Sequence, residues 1–150
     1  MGETQAGAAE GRYAKLVLAY NDIFKRLVDA AKNPGAKLED WAPLADFVAV
    51  DEFVRVGSFK EVVDWPQYIA MVHKWASGSH WESTFKGIGE IGRRVFLELE
   101  ERVESAAGRD VVNSLTVWEF NEAGKLVHLD IYLQQAPQPQ WASGWEAATA

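Results

Sequence analysis

Between Arg93 and Gln134, hydrophobic and polar positions alternate with the period of two that marks strands. The chain there reads RRVFLELEERVES, a break at AAGRD, VVNSLTVWEFNE, a break at AGK, and LVHLDIYLQQ. Three runs rich in β-branched and aromatic residues, with turn formers between them, predict an antiparallel meander. In the first run Val95, Leu97, Leu99, Glu101 and Val103 share one face, and Phe96, Glu98, Glu100, Arg102 and Glu104 share the other. Glu101 is an acid on an otherwise apolar face. A carboxylate in that position is either paired or kept for chemistry.

Upstream the period changes. Tyr13, Leu16, Val17, Tyr20, Ile23, Phe24, Leu27, Val28 and Ala31 recur at helical spacing and predict a helix from Tyr13 to Lys32, ended by Asn33-Pro34-Gly35. A short helix is expected over Leu38–Ala45. FVAVDEFVRVGSF then reads as a strand, with Val48, Val50, Glu52, Val54 and Val56 on one face and Phe47, Ala49, Asp51, Phe53 and Arg55 on the other. Glu52 becomes a second lone acid on a valine face. Asp64 is a candidate N-cap for a helix that opens on Trp65-Pro66 and runs to Ala76. His80 to Ile91 predicts another strand, bulged or bent by Gly87, Gly89 and Gly92.

Helix, helix, strand, helix and four strands make an α+β layout: a cone-shaped, curved antiparallel sheet packed against three helices. Residues 1–11 read as a flexible leader, 12–135 as one domain, and 136–150 as a tail punctuated by proline. Trp141 and Trp145 in that tail suggest docking onto the body or a neighbouring subunit. A sheet curved around helices leaves a conical hollow, and pockets of that kind are mostly apolar with a few polar groups.

Composition narrows the partners. A net charge of −7 over 150 residues, with no basic patch, argues against nucleic acid and anionic membranes. Without cysteine there is no disulfide, thiol catalyst or thiolate metal site. No apolar run reaches the ~20 residues of a membrane span, and a cytoplasmic setting is the default. Seven tryptophans favour a flat-walled pocket or an aromatic interface.

Glu52 and Glu101 are the leading catalytic candidates. Acids facing a dry hollow are pushed towards neutral-range ionisation by desolvation and by each other, so that one serves as base and a protonated partner as acid. The structural alternative is a one-residue slip that turns either outward to pair with Arg55, Arg93, Arg94 or Arg102. Tyr20, on the apolar stripe of the first helix, is a candidate oxygen donor or a core residue. His80, beside Trp81, is a candidate acid at the rim. Alternation puts His128, Asp130 and Tyr132 outside the hollow, whereas a last strand turned over would make His128 and Asp130 a pocket dyad. His73, His80 and His128 have no metal-site spacing, so no metal is expected. Trp65, Trp75, Trp81, Trp118, Phe53, Phe85 and Phe120 are candidates for lining the hollow or for ordinary core. Gly87-x-Gly89-x-x-Gly92 falls inside a strand, where a phosphate-binding glycine pattern has no meaning.

With these elements in place, and with TVWEFNEAGKLVHLDIYL as its closing hairpin, the chain resembles the nuclear transport factor 2-like superfamily, in particular its SnoaL-like enzymes. The resemblance implies a cone-shaped α+β barrel, usually dimeric through the outer sheet face. By likeness to ketosteroid isomerases, Tyr20 would donate to a substrate oxygen, Glu52 would be the general base, and Thr116 would take the place of a protonated aspartate. By likeness to limonene epoxide hydrolases, Glu101 would match one acid of an Asp–Arg–Asp set whose other members fall on Leu99 and Ile131. The resemblance therefore points to a cofactor-independent lyase, isomerase or dehydratase acting on a small hydrophobic, aromatic molecule bound in the cone. Relatives include polyketide cyclases and formaldehyde-releasing lyases of diarylpropanes. The alternative is a ligand-binding or subunit-association module of the same fold, its acids paired by arginine or its cone plugged by tryptophan.

Overall fold

A computed structural model describes residues 11–136. The remaining leader and the tail, with Trp141 and Trp145, lie outside the described residues. Helix α1 spans Arg12–Ala30, a 3-10 turn Leu38–Trp41, α2 Ala42–Ala45 and α3 Trp65–Ser77. The strands are β1 Val54–Val56, β2 Val62–Val63, β3 Ser79–Ile91, β4 Arg94–Ser105, β5 Gly108–Phe120 and β6 Leu126–Gln134. They form one curved, unclosed sheet in the order β2-β1-β6-β5-β4-β3, with the helices over its concave face.

Each helix forms where its apolar stripe and end signals agree. In α1, Val17, Tyr20 and Val28 are buried against Trp41, Leu44 and the sheet. Its N-terminus is met from β3: Glu90 Oε1 accepts a hydrogen bond from Ala14 N at 2.7 Å, a carboxylate at the positive end of the helix. A Cβ at Gly11 would stand 2.3 Å from Glu90 Oε1, so a side chain there would have to displace this carboxylate. Asp64 caps α3 as expected. Its carboxylate accepts from Gln67 N at 2.9 Å, and Gln67 Oε1 accepts from Asp64 N at 3.0 Å. Asp64→Ala should cost about 1 kcal/mol in urea unfolding. A loss under about 0.3 kcal/mol would mean that Pro66 and packing hold this end without the cap.

The meander is as the alternation predicts. Leu97, Leu99 and Glu101 face inward from β4, while Glu98, Glu100 and Arg102 face out. There Arg102 pairs with Glu100 at 3.0 Å and Lys86 with Glu98 at 3.5 Å. The expected irregularity in β3 falls between Phe85 and Gly87.

Two segments differ from expectation. FVAVDEFVRVGSF is not one strand. Phe47–Ala49 docks on the start of β6, where Leu126 N donates to Phe47 O at 2.8 Å and Ala49 N to Leu126 O at 3.0 Å. A turn follows, closed by Glu52 N to Ala49 O at 3.0 Å, because the acidic pair Asp51-Glu52 prefers water. The chain resumes as β1, which pairs parallel to β6 with Arg55 opposite Leu129. The sheet is thus mixed, and β2 adds a short edge strand. At AAGRD the break is only Ala106-Ala107: Gly108, at φ +121°, already pairs with Ser105. Asp110 therefore belongs to β5.

Candidate active site

Residues opposite one another in a sheet share a face, so the register maps the hollow in rows. The innermost row runs Arg55, Leu129, Trp118 and Val95; the next contains Ile131, Thr116 and Leu97; then come Leu133, Ser114 and Leu99. Further out, Val112 stands opposite Glu101, and Asp110 opposite Val103. Burial follows the same axis: Val95 and Trp118 are buried, Glu101 and Val112 half-buried, and Asp110 exposed. The cone is closed at the Trp118 end and open at the Asp110 end.

Between this wall and the helices lies a cavity of about 480 Å³, within the usual size of a small-molecule site. Its walls are mostly apolar. Phe24, Met71, Val72 and Trp75 come from α1 and α3, and Leu97, Leu99, Leu129 and Ile131 from the sheet. Trp75 and Trp81 stand 6.4 Å apart at 66°, and Phe24 meets Trp81 edge-on at 5.5 Å. The polar groups fall at two levels.

Glu101 is the carboxylate of the middle wall. Its Oε1 accepts a hydrogen bond from Trp81 Nε1 at 2.8 Å, and among the described residues no arginine or lysine forms a salt bridge with it. Trp81 is nearly fully buried, so the carboxylate is held by a donor that cannot swing away.

At the closed end four side chains gather. Tyr20 meets the Trp118 ring edge-on, centroids 5.1 Å apart, and the Arg55 guanidinium lies over the Tyr68 ring at 5.5 Å. The Tyr20 hydroxyl is buried beside that of Tyr68, and Trp118 Nε1 and Arg55 Nη1 are buried and form no hydrogen bond with any described residue. Ser114 Oγ, on the same sheet face, is in the same position. Burial pushes ionisation of the Tyr20 phenol well above its ordinary value, with the neighbouring Tyr68 phenol adding to the effect and Arg55 opposing it. Tyr68 is raised too, by burial first, with Arg55 and the Tyr20 hydroxyl opposing and Glu101 reinforcing. Both phenols remain protonated donors across the physiological range.

This has a consequence for stability. The unfolded chain ionises these tyrosines near pH 10 and the folded one only at higher pH. Their contribution to stability is therefore complete below about pH 10 and is lost as the pH rises towards the folded-state value. Tyr20→Phe should remain folded at neutral pH, because it keeps the ring that packs on Phe24, Phe47 and Trp118. Its urea midpoint should fall less steeply than wild type between about pH 9 and pH 11. Identical slopes would mean that the phenol is not shielded.

The structure brings Tyr20, Glu101, Thr116, Trp81 and Trp118 together around the cavity. It separates the others. Glu52 is exposed in the Ala49–Glu52 turn, so the valine face it was counted with does not continue through it. His80 is exposed beside Glu82, 3.1 Å away; Trp81 points inward, and its neighbour must point out. Phe53 and Trp65 are buried with rings 5.1 Å apart, and both pack on Tyr68, at 5.7 Å each. They support the wall without lining it. Phe85 is a half-buried flank of the core. His128 pairs with Asp130 at 3.1 Å on the outer face, where alternation placed it.

Asn21, Arg55, Tyr68, Asp110 and Gln135 are polar lining residues that sequence reasoning missed. Tyr68 follows Trp65 by one helical turn on the apolar stripe of α3, a legible signal. Arg55 follows from recognising Asp51-Glu52 as a turn that resets the face count.

No protein-family model matches the sequence, and no curated protein matches it. Solved structures do match. A nuclear transport factor 2-like protein of unknown function from Exiguobacterium sp. 255-15 aligns with a TM-score of 0.58 and 18% identity, over 78% of this chain and 99% of that one. A candidate SnoaL-like polyketide cyclase from Jannaschia sp. CCS1 gives 0.57 and 13%, over 78% and 86%. A limonene-epoxide-hydrolase-like epoxide hydrolase from M. tuberculosis gives 0.54 and 17%, over 75% and 84%. These identities speak for architecture.

Proposed function

From the nuclear transport factor 2-like fold that this chain has, with SnoaL-like proteins among its structural relatives, we propose an enzyme of proton transfer. It acts on a small hydrophobic, ring-bearing molecule through its own side chains, as a lyase or isomerase. The observation that carries the reading is Glu101: a carboxylate fixed by Trp81 in an apolar chamber whose closed end carries donors with no acceptor. In an isomerase, Glu101 takes a proton from the carbon beside a carbonyl, and the negative charge moves to the oxygen. In a lyase it takes the proton of a β-hydroxyl; the carbon–carbon bond breaks, a carbonyl fragment leaves, and the remaining enolate accepts a proton back. Both routes develop an oxyanion, and the Tyr20 and Tyr68 hydroxyls are donors to it. Dipoles fixed before reaction need no reorganisation, which is where such sites gain most of their rate. Thr116 lies between the two levels, within the substrate path.

The mixed enzyme classes among the structural relatives fit a chamber whose chemistry is set by its lining. The test is a panel of aryl ketones, aryl aldehydes and β-hydroxy aryl carbonyls incubated with the protein in D2O. Mass spectrometry should find deuterium at the α-carbon, or a cleaved carbonyl fragment, for at least one member. No exchange or cleavage across the panel would overturn the proton-transfer reading.

A further inference from the structure

The geometry points to a carboxylate receptor at the closed end of the cone, formed by Arg55 with Trp118, so that the natural ligand is a hydrophobic, ring-bearing acid. This deepens the proposed function and rests on the chamber being the substrate site. Arg55 brings its guanidinium into an apolar hollow with Nη1 buried, and no described carboxylate forms a salt bridge with it. Burying part of a cation this way is costly unless an anion completes it. The Tyr68 ring beneath it is one favourable contact, but a π-face leaves the buried Nη1 without an acceptor.

Trp118, 5% exposed, adds an indole N–H with no acceptor among the described residues. An unpartnered guanidinium nitrogen beside an unpartnered indole N–H suits two coplanar oxygens sharing one negative charge. The acids of the chamber lie elsewhere. Glu101 stands six residues along β4 from Val95, in Arg55's row, and Asp110 lies further out. That offset is roughly 20 Å of extended strand, shortened by side chains that lean into the cone, since Tyr68 feels both Arg55 and Glu101. A ligand anchored by its carboxylate at Arg55 thus lays its apolar body across the Leu97, Thr116 and Ile131 row and presents its far end to Glu101. The overall charge of −7 disfavours anions at long range. Selection for an acid must therefore come from this local pairing.

The probe pair is 2-naphthoate and methyl 2-naphthoate, which share a ring system and differ in charge, titrated calorimetrically near neutral pH. Wild type should bind the acid at least about tenfold more tightly, the value of one charge-assisted pair in a shielded site. Arg55→Met should bring the two within about twofold while keeping affinity for the ester. If Arg55→Met does not fold, Arg55→Lys decides: a point charge without the fork should lose several-fold of the preference. Equal affinities in wild type, no binding of either probe, or an undiminished preference in a folded Arg55 variant would each overturn the receptor. Glu101→Gln should retain the acid preference. The receptor can therefore fail while proton transfer stands, and the reverse.

Discussion

Glu101→Gln is expected to lower turnover by roughly 10²–10⁴-fold on any substrate the enzyme exchanges or cleaves, with KM changed by less than about threefold. Glutamine has nearly the same shape, and its carbonyl oxygen can still accept the hydrogen bond that Trp81 Nε1 gives at 2.8 Å. What the substitution removes is the capacity to take up a proton. The loss should therefore fall on kcat, the signature of an interaction made in the transition state. Glu52→Gln and His80→Gln are the controls. Both residues are exposed and away from the cavity, and each variant should turn over within about twofold of wild type. Steady-state kinetics on the four proteins checks this. Full activity in Glu101→Gln would remove the base from the mechanism.

Trp41→Ala should be the most damaging substitution to the fold among those with a simple cause, at about 3–5 kcal/mol. Trp41 is 2% exposed, meets Phe24 edge-on at 5.9 Å and donates from Nε1 to His73 Nδ1 at 3.0 Å. It ties the segment after α1 to α3 from behind the cavity. Truncation opens a space behind Phe24 and leaves His73 without its donor, so cavity and hydrogen-bond losses add. For a domain of this size the melting temperature should drop by about 6–20 °C, read by calorimetry. Trp41→Phe should recover most of the packing and lack only the hydrogen bond. A drop under about 3 °C for Trp41→Ala would show that the helices close over the gap.

What could be read in advance follows from which rules act locally. The meander was legible because a period of two over twelve or thirteen residues admits one inward face, and that face carried Glu101. The N-cap at Asp64 and the stripe of α1 were legible because both are local signals. Glu52 was not, because face counting assumes an unbroken strand, and Ala49–Glu52 is a turn. One inserted turn reversed the inference, exposing Glu52 and sending Arg55 into the hollow. Asp110 was hidden by a break that proved two residues long. The parallel pairing of β1 with β6 joins segments some seventy residues apart, as Arg55 opposite Leu129 shows, and no local pattern encodes it. His80 was misplaced although its neighbour was right: once Trp81 faces inward, alternation sends His80 outward.

The most direct test of Glu101 as the proton-moving group is a crystal structure of the Glu101→Gln protein with a substrate that wild type exchanges or cleaves. The molecule should lie inside the cone, its oxygen at hydrogen-bond distance from Tyr20 or Tyr68. Its reacting C–H or O–H should lie within about 3–3.5 Å of the side chain at position 101. A substrate seated outside the chamber, or bound within it with the reacting atom turned away from that position, would contradict that role.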